Sequence, residues 1–341
     1  MESNIIHNKK RGIFAKVILF FTVLIFLLLI LEVILRFTYP LYSNFNTEMW
    51  KYSKDIKTLS NIPNVSHVHV PNKHEILYHV DLSTNSLGFR DYEYLINKSQ
   101  DTKRILVLGD SVTLGWGVNL SNTYSKVLER MLNNQSQSIN EKIKYEIINT
   151  AVGNYNAEME VNMLEQQIYL KPDAVILGFF PNDGENTIII KDSLIYKLKK
   201  SLYLYPFFWD KYTKLSYLFA SRKGNYTSVV HSYYSNEYGG KENLKRSFLK
   251  LKYLSEKNNF KVYVVIIPQF YNEFKGYDLN EIHSYVMELC KTERFICVDT
   301  FDSLKSYSLN EIIISYEDAH PNAIGHKIIA EKIFETIKNG K

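Results

Sequence analysis

Cysteine is nearly absent. Cys290 and Cys297 are the only two in 341 residues, too few for a disulfide framework and without the spacing of a metal motif. A single bridge in an oxidising compartment and a pair of buried thiols both remain open for them. Charge of one sign is lacking as well: the net charge is +5, and Lys and Arg alternate with Asp and Glu through the C-terminal two thirds. No basic stripe of the kind that holds nucleic acid results. Local clusters such as Lys197, Lys199 and Lys200 read as a solvated helix face or a membrane-surface contact. There is also no internal repeat, so nothing points to a solenoid or array.

What the chain does have is one long apolar run. Val17 to Leu31 is unbroken, and the run extends from Ile13 to Phe37 if Lys16, Glu32 and Arg36 are tolerated near its ends. About 20 residues at 1.5 Å rise cross a ~30 Å hydrocarbon layer, so the run predicts a membrane helix. A cleaved secretion signal is the rival reading. After Leu31 come Glu-Val-Ile-Leu-Arg-Phe-Thr-Tyr-Pro, with no small-x-small cleavage pattern and no lipidation cysteine, which favours an uncleaved signal anchor over residues 13–37. Lys9, Lys10, Arg11 and Lys16 precede the run against only Glu2. By the positive-inside rule, residues 1–12 form a cytoplasmic tail and everything after Tyr39 lies outside, with the lipid bilayer as partner.

Residues 38–100 are polar and punctuated by Pro40, Pro63 and Pro71, as a stalk and docking segment would be. His67, His69, His74 and His79 lie within it. No second ordered pair, cysteine or helical spacing supports zinc, so an exposed extended strand is expected instead. Asn85-Ser-Leu-Gly-Phe-Arg-Asp91 has strand and turn character and is expected to dock on the domain that follows.

From Arg104 the pattern changes. Ile105–Leu108, Tyr145–Ile148, Ala174–Phe179, Val262–Ile267 and Phe295–Val298 are short apolar runs of the buried-strand type. Helical patterns at Tyr124–Leu132, Ala157–Leu170, Leu244–Glu256, Leu279–Cys290 and Ala323–Ile337 alternate with them. Such alternation predicts a parallel sheet with helices on both faces over residues 101–341. An aromatic-rich insertion at 184–240 interrupts it, carrying Tyr203, Tyr205, Phe207, Phe208, Trp209, Tyr212, Tyr217 and Phe219. It is too apolar for disorder and reads as a packed subdomain, or as a lid or interfacial patch.

Three groups of residues carry chemistry. The first strand ends in Gly109-Asp110-Ser111, and ligands of parallel sheets bind at the carboxyl ends of strands. The G-x-S-x-G elbow is not met, because Thr113 stands at its second glycine. Near the C-terminus, Glu317-Asp318-Ala319-His320-Pro321-Asn322 supplies a base with an acid beside it, which a serine hydroxyl needs to become a nucleophile. After the second and third strands, Ala151-Val-Gly-Asn-Tyr-Asn156 and Phe180-Pro-Asn182-Asp183 offer N–H groups for a developing oxyanion.

In this order and at these strand ends, the blocks resemble the SGNH (GDSL-type) hydrolase superfamily over roughly residues 104–337. Ser111, Asn182 and His320 fall on its motifs. The resemblance implies a three-layer, flavodoxin-like α/β fold with a five-stranded parallel sheet. Ser111 would be nucleophile and His320 general base, with the oxyanion held by the N–H of Ser111, the N–H of Gly153 or Asn154, and the Asn182 amide. No cofactor or metal is implied.

Two departures from the pattern matter. The usual glycine of the second block falls on Asn154 if Tyr155 is the anchor; Asn tolerates positive φ, so Asn154 can donate its N–H, with Gly153 as the alternative. The commonest spacing makes Glu317 the acid, whereas a D-x-H variant uses Asp318, favoured here because the shorter side chain suits the closer spacing. The expected protein is a membrane-anchored esterase or acylhydrolase acting on an ester of a lipid or an acylated envelope glycan. Transfer to a sugar hydroxyl would make it an O-acyltransferase, and a non-catalytic tethered binding protein is the third reading.

Overall fold

The computed structural model describes residues 2–42, 44–220 and 226–339, and the side chains of all of these except 2–11, 40, 42, 217–220 and 226. In chain order the helices are α1 (Glu2–Tyr42), α2 (Phe45–Asp55), α3 (Ser111–Leu114), α4 (Tyr124–Ser138), α5 (Ala157–Gln167), α6 (Leu194–Ser201), α7 (Leu204–Ala220), α8 (Tyr226–Tyr233), α9 (Gly240–Asn258), α10 (Asn280–Glu293), α11 (Phe301–Leu304), α12 (Leu309–Ile312) and α13 (Ala323–Asn339). The strands are β1 (Lys57–Leu59), β2 (His67–His69), β3 (His74–Leu77), β4 (Val80–Ser83), β5 (Thr102–Gly109), β6 (Lys144–Asn149), β7 (Ala174–Phe179), β8 (Lys261–Ile266) and β9 (Ile296–Asp299). They form two compact units, Met1–Trp50 with Asp192–Phe219, and Lys51–Lys191 with Ala220–Lys341.

The larger unit is built on a five-stranded parallel sheet in the order β6-β5-β7-β8-β9. Strands such as Ala-Val-Ile-Leu-Gly-Phe in β7 bury every residue, so both faces must be covered. From β5 the chain steps to β6 on one side and then crosses back to β7 on the other. Right-handed crossovers therefore put α4 and α5 on opposite faces. Helix α13 packs with α4, while α9 packs with α5 and α10, which makes three layers. This strand order reverses at β5, so the crevice at its carboxyl end is the expected ligand site. The five expected strands and the alternating helices are all present.

Residues 38–100, expected as a stalk and docking segment, hold regular elements. Helix α1 runs through Tyr42, α2 follows, and β1 pairs with β2 and β3 with β4 in two antiparallel hairpins. The alternating residues His67 and His69 point inward from β2 and are buried, contrary to the exposed strand expected, whereas His74 and His79 are exposed. The physical reason is polar satisfaction: both inward imidazoles find hydrogen-bond partners in the sheet unit. No group of three or more metal-type side chains occurs among the described residues. Cys290 at the end of α10 and Cys297 in β9 are disulfide-bonded.

In the smaller unit, α1 exposes its apolar side chains almost throughout, Phe14 at 67% and Phe26 at 61%. That pattern does not fit the core helix of a soluble domain. Near its C-terminal end, Leu28, Leu31, Glu32, Leu35 and Tyr39 form a covered stripe at helical spacing. The side chains of Lys9, Lys10, Arg11, Tyr217 and Phe219, named above, lie outside the described ones. The expected insertion divides between the units: residues 192–219 belong with α1 and the rest with the sheet.

Candidate active site

Ser111 is placed by a strand that ends abruptly. A Cβ at Gly109 would stand 2.1 Å from Thr113 Oγ1, so only glycine lets the chain turn this tightly into α3. Asp110 caps that short helix, its Oδ1 accepting the Val112 N–H at 2.8 Å. Its other oxygen accepts from Asn182 Nδ2 at 3.1 Å, tying the loops after β5 and β7 together. Burial raises the Asp110 carboxyl above its ordinary pKa.

His320 reaches the serine from the loop before α13. Asn322 builds that loop: its Nδ2 donates to the Glu311 and Ile313 carbonyls, both at 2.9 Å, and its Oδ1 accepts the N–H groups of Ile324 and Gly325. The Ile314 N–H in turn donates to the His320 carbonyl at 2.9 Å. Ser111 Oγ lies 2.8 Å from His320 Nε2, and His320 Nδ1 lies 2.5 Å from Asp318 Oδ1. A carboxylate only accepts, so Nδ1 carries the proton and Nε2 faces the serine as an acceptor. Asp318 is buried, whereas Glu317 is exposed. The structure therefore puts Asp318, not Glu317, against the imidazole.

Trp116 completes this arrangement. Its Nε1–H donates to Asp318 Oδ2 at 3.0 Å, so both carboxylate oxygens are held. Arg90 fixes the turn that carries Trp116, donating to the carbonyls of Leu114, Gly115 and Val118 at 2.6–2.9 Å. Neither residue is recognisable in the sequence alone, since a Trp five places after a Ser and an Arg twenty-one before that Ser carry no spacing signal.

The loop after β6 distinguishes its two candidate donors. The Gly153 N–H donates to the Tyr52 hydroxyl at 2.9 Å. Tyr52 must then give its own proton to His69 Nε2 at 2.6 Å, which leaves His69 Nδ1 to donate to the Gly88 carbonyl at 3.0 Å. Asn154 adopts φ +66° and is exposed, which leaves its N–H as the other candidate donor. The carbonyl of the same peptide, Gly153 O, accepts from Lys57 Nζ at 2.6 Å and from His67 Nε2 at 3.0 Å. Donors on a peptide oxygen polarise the N–H on its other side. Burial lowers Lys57 to about 7 and His69 to about 3, and holds His67 well below its ordinary value. The histidines are thus neutral hydrogen-bonding parts of the loop; the one sequence signal for them was the alternation His67-x-His69.

Asn182 is held in a one-turn helix after β7, where Tyr234 OH donates to the Pro181 carbonyl at 2.8 Å. One of its amide hydrogens is used on Asp110, and the other is available. Ser111, Asn154 and Asn182 stand just past the carboxyl ends of β5, β6 and β7 or on the loop that follows, and His320 comes to them from the segment between α12 and α13.

No family model and no curated protein matches this chain. Among solved structures it is similar to TesA, at TM-score 0.45 and 13% identity over 70% of this chain and 99% of that one. It is similar also to the psychrotrophic esterase EstA from Pseudoalteromonas sp., at TM-score 0.43 and 13% identity over 70% and 98%. A member of the lipolytic protein G-D-S-L family from Veillonella parvula gives TM-score 0.43 and 12% identity over 69% and 98%. Likeness at this level assigns no activity to the chain.

Proposed function

We propose that the chain is a membrane-anchored serine esterase that forms an acyl-enzyme at Ser111. The observation that carries this reading is the relay from Ser111 Oγ through His320 to Asp318, at 2.8 and 2.5 Å, on the carboxyl side of the parallel sheet. His320 Nε2 takes the Ser111 proton as Oγ attacks the ester carbonyl, and Asp318 steadies the imidazolium that results. The tetrahedral oxygen is received by the N–H groups of Ser111 and Asn154 and the remaining amide hydrogen of Asn182. Ser111 stands at the first position of α3, where an N–H has no helical acceptor. Collapse expels the alcohol with the proton from His320, and water then attacks the acyl carbonyl by the same route.

Anchoring is supported by α1: Gly12–Tyr39 is a 28-residue apolar stretch with most of its side chains exposed. The positive flank before it favours an outside location for the sheet unit, and the Cys290–Cys297 bond suits an oxidising compartment. Its position outside a membrane makes an ester of a lipid or an acylated envelope glycan the substrate class. The test is a chain-length series of p-nitrophenyl esters on the detergent-solubilised full chain, with and without sugar acceptors. Turnover lost in Ser111→Ala supports the reading. Near-wild-type hydrolysis by that variant overturns it, and acceptor-dependent transfer would move the activity to O-acyl transfer.

A further inference from the structure

The smaller unit contains an ionisable group where a simple anchor would not need one. Glu32 lies seven residues inside the end of the apolar stretch and is 6% exposed. An unsatisfied carboxylate at such a place is costly, and this one is fully used. Oε1 accepts from Arg36 Nε at 2.8 Å and from the Tyr203 N–H at 3.1 Å, and Oε2 accepts the Leu204 N–H at 2.9 Å. Glu32 therefore caps α7, where the helix dipole also favours negative charge. Arg36 reaches on to the Ser201 carbonyl at 3.1 Å and lies over the Tyr203 ring, which packs edge-on against Tyr39 and Trp50. Trp50 Nε1 donates to the Lys199 carbonyl at 2.8 Å. These contacts clamp the α6–α7 hairpin onto the last turns of α1.

The two sides of α7 differ. Asp210 and Thr213 meet Asn46 of α2. Tyr205, Phe208, Trp209 and Tyr212 line a groove of about 590 Å³ together with Leu28 of α1. Trp209 and Tyr212 are 46% and 62% exposed. Around it, residues 192–219 carry Lys197, Lys199, Lys200, Lys211 and Lys214 against Asp192 and Asp210 only.

The groove's depth follows from helix geometry. Gly12–Tyr39 measures about 42 Å at 1.5 Å per residue, the thickness of a bilayer with its headgroup zones. Roughly 6 Å at each end then lies among headgroups, which puts Leu28, about 16 Å before Tyr39, about 10 Å inside the hydrocarbon. Aromatic residues with polar edges and a surplus of lysine are what the boundary zone favours.

We propose that the α6–α7 hairpin is a second membrane contact, its groove beside Leu28 taking a phospholipid acyl chain and its lysines meeting anionic headgroups. This rests on the reading of α1 as a membrane anchor. Half-submerged amphipathic helices reach about 5–10 Å into the same zone, so the depth and the side chains agree.

The test uses the full chain in vesicles of phosphatidylglycerol and phosphatidylcholine, with plain or mid-chain-brominated phosphatidylcholine. Retention on floated vesicles after alkaline carbonate reports the anchor alone. Bromine quenching of tryptophan reports the hairpin, because Trp50 and Trp116 are buried and Trp209→Phe isolates the third. A quenched component that disappears in Trp209→Phe, and weakens when Phe208→Asp is introduced instead, is the expected result. Chains that stay with the vesicles while wild type and Trp209→Phe quench alike overturn the hairpin contact and leave the anchor standing. Release by carbonate overturns the anchor and the inference with it.

Discussion

Replacing Asp318 by Asn should disable the relay through one buried indole. Asp318 Oδ2 accepts the Trp116 Nε1–H at 3.0 Å, while Oδ1 faces His320 Nδ1 at 2.5 Å. Indole nitrogen only donates, so an Asn at 318 must turn its carbonyl oxygen to Trp116 or leave a buried donor unpaired at about 1–3 kcal/mol. Its NH₂ then points at His320 Nδ1 and forces the other tautomer. Nε2 becomes protonated and can no longer take the Ser111 proton. A loss of kcat near 10⁴ follows, or about 5.5 kcal/mol at 1.36 kcal/mol per decade. The assay is kcat on a short p-nitrophenyl ester with the full chain in detergent, with a thermal melt to establish folding. Glu317→Gln, at an exposed side chain, should change kcat little. Trp116→Phe added to Asp318→Asn removes the donor that orients the amide, so the double variant should be faster than Asp318→Asn alone. An Asp318→Asn enzyme keeping more than a tenth of wild-type kcat, or a Glu317→Gln enzyme equally impaired, would refute the reasoning.

Three further outcomes are expected. Asn182→Ala should lower kcat by ~10² to 10³ as one oxyanion donor is lost; an unchanged kcat in single-turnover measurements would remove Asn182 from the hole. Burial holds Lys57 at about 7 in the folded chain against 10.5 unperturbed, so the cost of its charge is fully present below pH 7 and relieved as pH rises toward 10. Denaturant unfolding should accordingly show wild type gaining stability over Lys57→Met across that interval, and parallel curves would contradict it. Glu160 is fully buried with no protein partner on either carboxyl oxygen, and burial raises it well above 4.5. Its stabilising contribution is present below pH 4.5 and lost as pH climbs toward the raised value, so Glu160→Gln should out-stabilise wild type at pH 8 by more than at pH 5. Equal differences at the two pH values would count against a proton held there.

Much of the frame was legible in the linear chain because it depends on local pattern. The apolar runs at Ile105–Leu108 and Ala174–Phe179 must be buried on both faces, and their alternation with amphipathic stretches leaves a doubly covered parallel sheet as the way to bury them. The blocks around Ser111 and Asn182 follow strand ends in the sequence, so their convergence on one edge comes with the topology, and His320 stands just ahead of the last amphipathic helix. The apolar character of residues 13–37 is likewise a local property. What the sequence could not decide were choices between neighbours. Glu317 and Asp318 differ by one position, and Trp116, two hundred residues away, is what holds Asp318 inward. Gly153 and Asn154 both offer an N–H until Tyr52 occupies the first. His67 and His69 read as exposed because their partners, the Gly153 carbonyl and the Tyr52 hydroxyl, lie 86 and 17 residues away, beyond the reach of a local pattern. Residues 192–219 likewise join α1 rather than the sheet, through Glu32 and two backbone N–H groups 171 and 172 residues further on. Local periodicity determines which segments are buried, whereas the pairing of individual polar groups requires knowing which distant donor and acceptor the fold brings within hydrogen-bond reach.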